Sequence, residues 1–223
     1  MILPGPWEVA QAVVELAEKG LLLKYVVASL FRVTWGYLLA VSTAIPIGLF
    51  LGWHLRLALA VNPVVQILRP ISPLAWIPIA ILWFGVSDLA AIYLIFLASF
   101  LPTLVSAMNA VRNIEEVHLR AGRNFGLSES QIIWKVLYPA VIPQLIVGLR
   151  LSLGIAWLVV VAAEMIAVNS GLGFLIVDSR NAGNRYDLVV AGMVLIGLIG
   201  LLLDTMLRSV EKLKTVRWGY VTD

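Results

Sequence analysis

Four ionisable residues stand within or at the edge of long apolar stretches: Arg32, Arg150, Glu164 and Asp204. A charge at mid-bilayer costs about 2.5–3.5 kcal/mol on insertion scales, so each needs an opposite charge or a watery path. The chemistry open to them is electrostatic: fixing a gate, or adding potential along a solute path. Arg150 and Glu164 are fourteen residues apart, roughly 21 Å along a helix, so they cannot pair within it and each requires an interhelical partner or solvent. Arg150 is a candidate for positive potential on an anion path, against an interhelical structural role. Glu164 is a candidate for fixing a gate by hydrogen bonding. Asp204 and Arg208 have the i,i+4 spacing of a structural pair, and Arg32 is placed to snorkel to the outer interface.

A second feature is a polar island from Arg112 to Lys135. Asn113 with Glu116, and Ser128 with Gln131, match the pattern in which a helix start satisfies two orphan backbone donors reciprocally. Gly126 between them suits a left-handed helix terminator, and Pro139 is expected to close the second helix. Ile114, Val117, Ala121 and Phe125 recur at helical spacing as an apolar stripe, with Glu115, Glu116, Arg120, Arg123 and Asn124 opposite. Such a helix either lies in the membrane interface against its own bundle or inserts into a groove on a partner, with Ala121 and Gly122 allowing close approach.

Composition bounds what surrounds these residues. The chain is 61% hydrophobic and 13% charged, with mean hydropathy +0.97; soluble domains average about 25% charged. A polytopic all-α membrane protein, one domain over 1–223, fits. There is no Cys, and the two histidines, His54 and His118, are far apart, so metal chemistry is not expected. A net charge of +3 gives no sign of nucleic-acid binding. Glu8, Glu15 and Glu18 interrupt any signal-peptide core at the start.

Uninterrupted apolar runs predict five spans, roughly 24–54, 70–86 (kinked by Pro70, Pro73 and Pro78), 89–112, 140–165 and 187–211, with a loop over 113–138. With the island inside, inner segments hold Arg56, Arg69, Arg112, Arg120, Arg123, Lys135, Arg208, Lys212, Lys214 and Arg217, and outer ones Lys19, Lys24, Arg180 and Arg185. Ten against four supports a cytoplasmic island and an outside Met1. Trp53, Trp83 and Trp134 fall near span ends. Asn169 to Asp187, with turn chemistry at Ser170-Gly171-Leu172-Gly173, either dips back toward the bundle or is a plain connecting loop.

The segment Arg120-Ala121-Gly122-Arg123-Asn124-Phe125-Gly126, nine residues, then Val136-Leu137-Tyr138-Pro139 resembles the EAA loop of binding-protein-dependent ABC importer permeases. The glycine, the proline and Ala121 match; Arg120 stands for the motif's glutamate, Gly122 for its second alanine, Val136 for its isoleucine and Tyr138 for its leucine. Ser29-Leu30-Phe31-Arg32-Val33 with Gly36, and Arg69-Pro70-Ile71-Ser72-Pro73-Leu74-Ala75-Trp76-Ile77-Pro78, are similar to the nitrate/sulfonate/taurine/bicarbonate branch. So are Ala163-Glu164-Met165 with Gly171-Leu172-Gly173, and the tail Arg217-Trp218-Gly219-Tyr220. Members of that branch usually carry another span before a Leu-x-x-Pro stretch like Leu3 to Pro6.

The resemblance implies a type I ABC importer transmembrane domain in the bacterial inner membrane. Asn113, Glu116, Val117, Arg120, Ala121, Gly122, Phe125, Gly126, Leu127 and Pro139 would form the element that couples to the ATPase. Arg150, Glu164, Gly171 and Gly173 are the candidates for path or gate. It implies two cytoplasmic ATPase subunits holding ATP and Mg, a second permease copy and an extracytoplasmic solute-binding protein, periplasmic or lipid-anchored. No cofactor is expected on this chain, which has no G-x-x-x-x-G-K-[ST] phosphate loop. The solute class is a small anion: nitrate, bicarbonate, a sulfonate or taurine. The alternatives are an ion-coupled secondary transporter, which would show clustered mid-membrane acids, and a membrane anchor for a cytoplasmic enzyme, which needs no gate.

Overall fold

Glycine spacing along the first long apolar stretch sets the closest helix pair of the molecule. In the computed structural model, which describes residues 4–211 apart from the side chains of 182, 210 and 211, every regular element is helical. Helix α1 covers Pro6–Glu18, α2 Leu21–Trp53, α3 Leu55–Leu68, α4 Ile77–Phe84 and α5 Asp88–Arg112. A Cβ at Gly36 would lie 2.7 Å from the Ile95 Cβ, one at Gly48 2.6 Å from the Ala107 Cβ, and one at Gly52 2.7 Å from the Val111 Cβ. Each glycine thus meets the residue 59 positions later (95 − 36, 107 − 48, 111 − 52), so α2 and α5 run parallel in a fixed register. In lipid, where apolar burial drives little helix association, small residues at the seam supply close van der Waals contact. The exposed surface is apolar instead, with Leu38, Leu39, Ile47 and Phe50 on α2.

The proline-rich stretch is a broken element and starts earlier than expected. Leu55–Leu68, read from sequence as an inner connection, is helical, and with Pro73–Phe84 it forms a bent pair with an 80° angle. The α3 ladder ends at Arg69 N–H donating to Val65 O, because Pro70 has no donor to continue it. A 3-10 turn over Pro73–Trp76 follows, its Leu74 N–H donating to Ser72 Oγ at 3.3 Å. Neither arm alone reaches the roughly 20 residues of a span, which is why hydropathy runs misplaced it. Among the described residues four helices are long and apolar enough to cross a membrane, five if the bent pair counts as one. Arg69 sits at the break of that pair; Lys212, Lys214, Arg217 and the tail to Tyr220 lie outside the described residues.

The island holds α6 (Glu116–Asn124) and a short turn α7 (Glu129–Ile132), followed by α8 (Tyr138–Ala167). The expected capping box at Asn113 does not form: Asn113 terminates α5 through its N–H to Asn109 O, and Glu115 is the N-cap of α6 without a side-chain cap. The box at Ser128 does form, with Ser128 N–H to Gln131 Oε1 at 3.0 Å and Gln131 N–H to Ser128 Oγ at 3.4 Å. Pro139 does not close the helix either. A π turn over Ile133–Leu137, with Tyr138 N–H donating to Ile133 O, keeps the chain helical from Glu129 to Ala167. The wider turn keeps the ladder going just ahead of a residue that has no N–H, a local adjustment often found at functional sites.

Beyond α8, α9 (Leu172–Gly183) and α10 (Tyr186–Glu211) complete the chain. The 169–187 stretch is thus a helix packed back onto the bundle, with Leu172 and Leu175 buried. Helix α1 docks on α10 through Leu16, and Glu15 Oε2 accepts from Arg185 Nη2 at 2.7 Å. Arg185, then Lys19, hold the Glu15 carboxyl down to about 2. Because this pKa lies below the ordinary value of about 4.3, its contribution is present above that value and lost as pH falls toward about 2. Spin labels on α1 and α10 should hold one distance from about pH 8 to 5 and separate only below about pH 4; separation at neutral pH would contradict this. Gly48→Leu should destabilise by about 1–3 kcal/mol, read as a lower unfolding midpoint, while Gly154→Leu, with nothing near its Cβ, should not; equal effects would reject the seam.

Candidate functional site

The end of the bundle away from the island is built on a buried guanidinium. Arg32 on α2 is 2% exposed and Glu164, near the end of α8, is 0% exposed. Arg32 Nη1 donates to Glu164 Oε1 and to Ser170 O, both at 2.7 Å. Nη2 donates to Ser170 Oγ and lies 2.7 Å from Asp88 Oδ1, and Nε donates to the same oxygen at 2.8 Å. Four guanidinium N–H groups thus donate hydrogen bonds, and the Asp88 carboxylate lies against a second nitrogen. The expectation that Arg32 snorkels outward is corrected: four acceptor groups at the bundle end outcompete the headgroup region.

Glu164 Oε2 accepts from Ser29 Oγ at 2.9 Å and from Gly173 N–H at 3.0 Å, while Leu172 N–H donates to Ser29 Oγ at 3.0 Å. The carboxylate and the serine thus cap α9, whose first N–H groups would otherwise be orphaned. Gly171 sits at φ +107, where a side chain is strained, and a Cβ there would collide with the Glu164 carboxylate. A Cβ on Gly173 would meet Val161 O and the Glu164 Cβ. Glu164, Gly171 and Gly173 are therefore one cluster, joined by Ser29, Arg32, Asp88 and Ser170, which sequence reasoning did not assign to it. Opposite charges in two different apolar stretches were the available signal.

Arg150 stands elsewhere. Its Nε and Nη2 make a two-point pair with Asp204 of α10, Nη2 to Oδ2 at 3.0 Å. Asp204 thus bonds across the interface to Arg150, while the expected partner Arg208 on its own helix acts on it only through its charge.

At the island, Gly122 is the buried residue of α6 and faces Ile132, Val136 and Leu127. Gly126, at φ +76, turns the chain, and Leu127 N–H donates to Gly122 O at 3.2 Å. This packing turns the stripe outward: Val117 is 61% and Phe125 86% exposed, and Ala121 is exposed too. Arg120 pairs with Glu116 at 2.8 Å and Arg123 with Glu129 at 3.4 Å.

Between the two ends, a cavity of about 560 Å³ runs along the α5–α8 groove. Arg69, Ser106, Asn109 and Gln144 supply its polar lining. A second cavity of about 520 Å³ shares Gln144 and Val147 and reaches His118 and Lys135 at the island.

Breaking a buried pair by removing one partner costs about 3–5 kcal/mol. Glu164→Ala should therefore lower the unfolding midpoint sharply, and Asp88→Asn, at a side chain 57% exposed, far less. Equal midpoints for Glu164→Ala and the unaltered chain would remove the clamp from the account.

Residues 44–215 match the family described as binding-protein-dependent transport system inner membrane component. The chain is 34% identical over 226 residues to the taurine transport system permease protein TauC of Escherichia coli, covering 99% of this chain and 82% of that one. It is 36% identical over 198 residues to the nitrate import permease protein NrtB of Synechococcus elongatus, covering 88% and 71%. In structure it resembles a chain of the inward-facing MetNI methionine ABC transporter, with TM-score 0.74, 20% identity, and 92% and 99% of the two chains covered. Helices built to cross a membrane, an exposed island and these likenesses agree: the chain belongs to the binding-protein-dependent transport system inner membrane components, the permease subunits of ABC importers.

Proposed function

We propose that this permease imports a small oxyanion of the nitrate or sulfonate class, received from an extracytoplasmic binding protein and driven by two cytoplasmic ATPase subunits that hold ATP and Mg. The observation that carries the coupling is the outward apolar face of α6. Val117, Ala121 and Phe125 are solvent-exposed at helical spacing, while Gly122, Gly126 and Leu127 fold the hairpin behind them. An apolar helix face rimmed by paired charges suits a groove on a partner. With one such hairpin per chain, two copies of the permease serve two ATPases. The relatives named for taurine and nitrate support the solute class.

Continuity gives the hairpin its reach. Glu129 to Ala167 is one helical run of 39 residues, which joins the island to Glu164. Closure of the ATPase pair on nucleotide shifts the population of island positions, and a rigid helix carries the shift to the clamp at Gly171 and Gly173, which acts as the outer gate. The α5–α8 groove is the path, facing the second copy. The acids within the spans, Asp88, Glu164, Asp187 and Asp204, are each ion-paired. That pairing leaves none of them available as a proton or sodium site and disfavours ion coupling.

Phe125→Asp and Ala121→Arg should each cut ATPase co-purification by about tenfold or more, the loss of about 1.4 kcal/mol of docking. The unfolding midpoint of the permease should stay in place, because both positions are exposed. An ATPase that binds either variant undiminished would defeat the coupling assignment.

A further inference from the structure

Arg69 is the residue whose position the function does not yet explain. It follows α3 at the 80° break of the bent pair, and its cavity is walled by Leu97, Leu101, Pro102 and Val105. These lie around the middle of α5, a 25-residue helix roughly 37 Å long. The break thus sets Arg69 on the cavity that runs along the middle of α5. Among the described residues that side chain makes no hydrogen bond or ion pair, unlike Arg32 and Arg150, which are both paired with carboxylates. An uncompensated charge within a membrane bundle is costly and marks an ion or substrate pathway.

Its neighbours share one chemistry. Ser106 and Asn109 stand three residues apart on one face of α5, opposite Gln144 on α8, and all line the same cavity. Ser106 is pressed against Gly148, where a Cβ would collide with the hydroxyl. Among the described residues no carboxylate lines this cavity. A cation with hydroxyl and amide donors, and no acid to repel a negative solute, selects for an anion with several acceptor oxygens. A planar guanidinium fork fits two of those oxygens at once. Discontinuous membrane helices are also where transporters place such sites, because the broken backbone lines a cavity.

We propose that Arg69, with Ser106, Asn109 and Gln144, forms a transit site for the oxyanion inside the permease, a specificity element separate from the binding protein. The site rests on the importer assignment above. The second cavity, joined through Gln144 and Val147, presents Lys135 and His118 beside Glu115, a further step toward the island, and conduction requires sites weak enough to leave.

The test uses the full complex in proteoliposomes: this chain, its ATPases and its binding protein, with labelled nitrate and labelled taurine as probes. Arg69→Gln should reduce uptake at sub-saturating anion by about tenfold or more, the loss of a charge-assisted contact. The unfolding midpoint of the permease should stay in place, as for substitutions outside the packed core. Arg69→Lys should recover a substantial part of the uptake, and Asn109→Leu and Gln144→Leu should each lose about threefold to tenfold. Uptake by Arg69→Gln within about twofold of the unaltered complex would overturn the site and leave the importer assignment standing. Loss of assembly or a lowered unfolding midpoint in parallel with lost uptake would make Arg69 a structural support of the broken span and also overturn it. If the unaltered complex imports neither probe, the oxyanion assignment itself fails, before any variant is compared.

Discussion

A guanidinium buried among apolar helices has to be neutralised on the spot, and one end of this bundle is organised by that requirement. Arg32 draws Glu164, Asp88 and Ser170 to it, and so ties together α2, the start of α5, the end of α8 and the turn into α9. The second oxygen of the same carboxylate then caps α9 through Gly173. Such a pair is worth little against an apolar replacement but is costly to half-remove. Its contribution here is to specify which helix ends meet. The Gly171 conformation and the missing side chain at Gly173 follow from the space the carboxylate occupies.

The opposite end has the reverse character. Helix α6 is short, makes its inward contact at Gly122 and leaves Val117, Ala121 and Phe125 facing outward, the face on which the proposed coupling rests. The long helical run into α8 joins the two ends mechanically, with a π turn absorbing Pro139. The α2–α5 seam, in register through three glycines, holds the remainder stiff. The bent pair stands apart from that seam, its ladder interrupted by prolines at Arg69, beside the α5–α8 cavity.

Much of this was legible in the residue string. Charge content and uninterrupted apolar runs settle a membrane bundle, because the hydrocarbon core demands about 20 apolar residues per crossing. The box at Ser128 and the turn at Gly126 are local, made by backbone groups a few positions apart, so they could be read directly. So could the helical hairpin around Gly126.

Pairings between distant residues were decided by tertiary structure alone. Nothing in local pattern tells that Arg32 reaches Glu164, 132 positions away, or that Asp204 turns to Arg150 in preference to Arg208; an ion pair forms where packing brings the groups together. Asn113 carried a capping signature yet ends α5, since the preceding helix claims its backbone first. Arg69 resembled a loop charge because its two helical arms are each too short to register as a span, and only their 80° bend sets it on the α5–α8 cavity. Sequence determined which segments enter the membrane and which face stays exposed, both consequences of short-range composition. The fold determined which charges are neutralised and which remains open, a matter of distance in space.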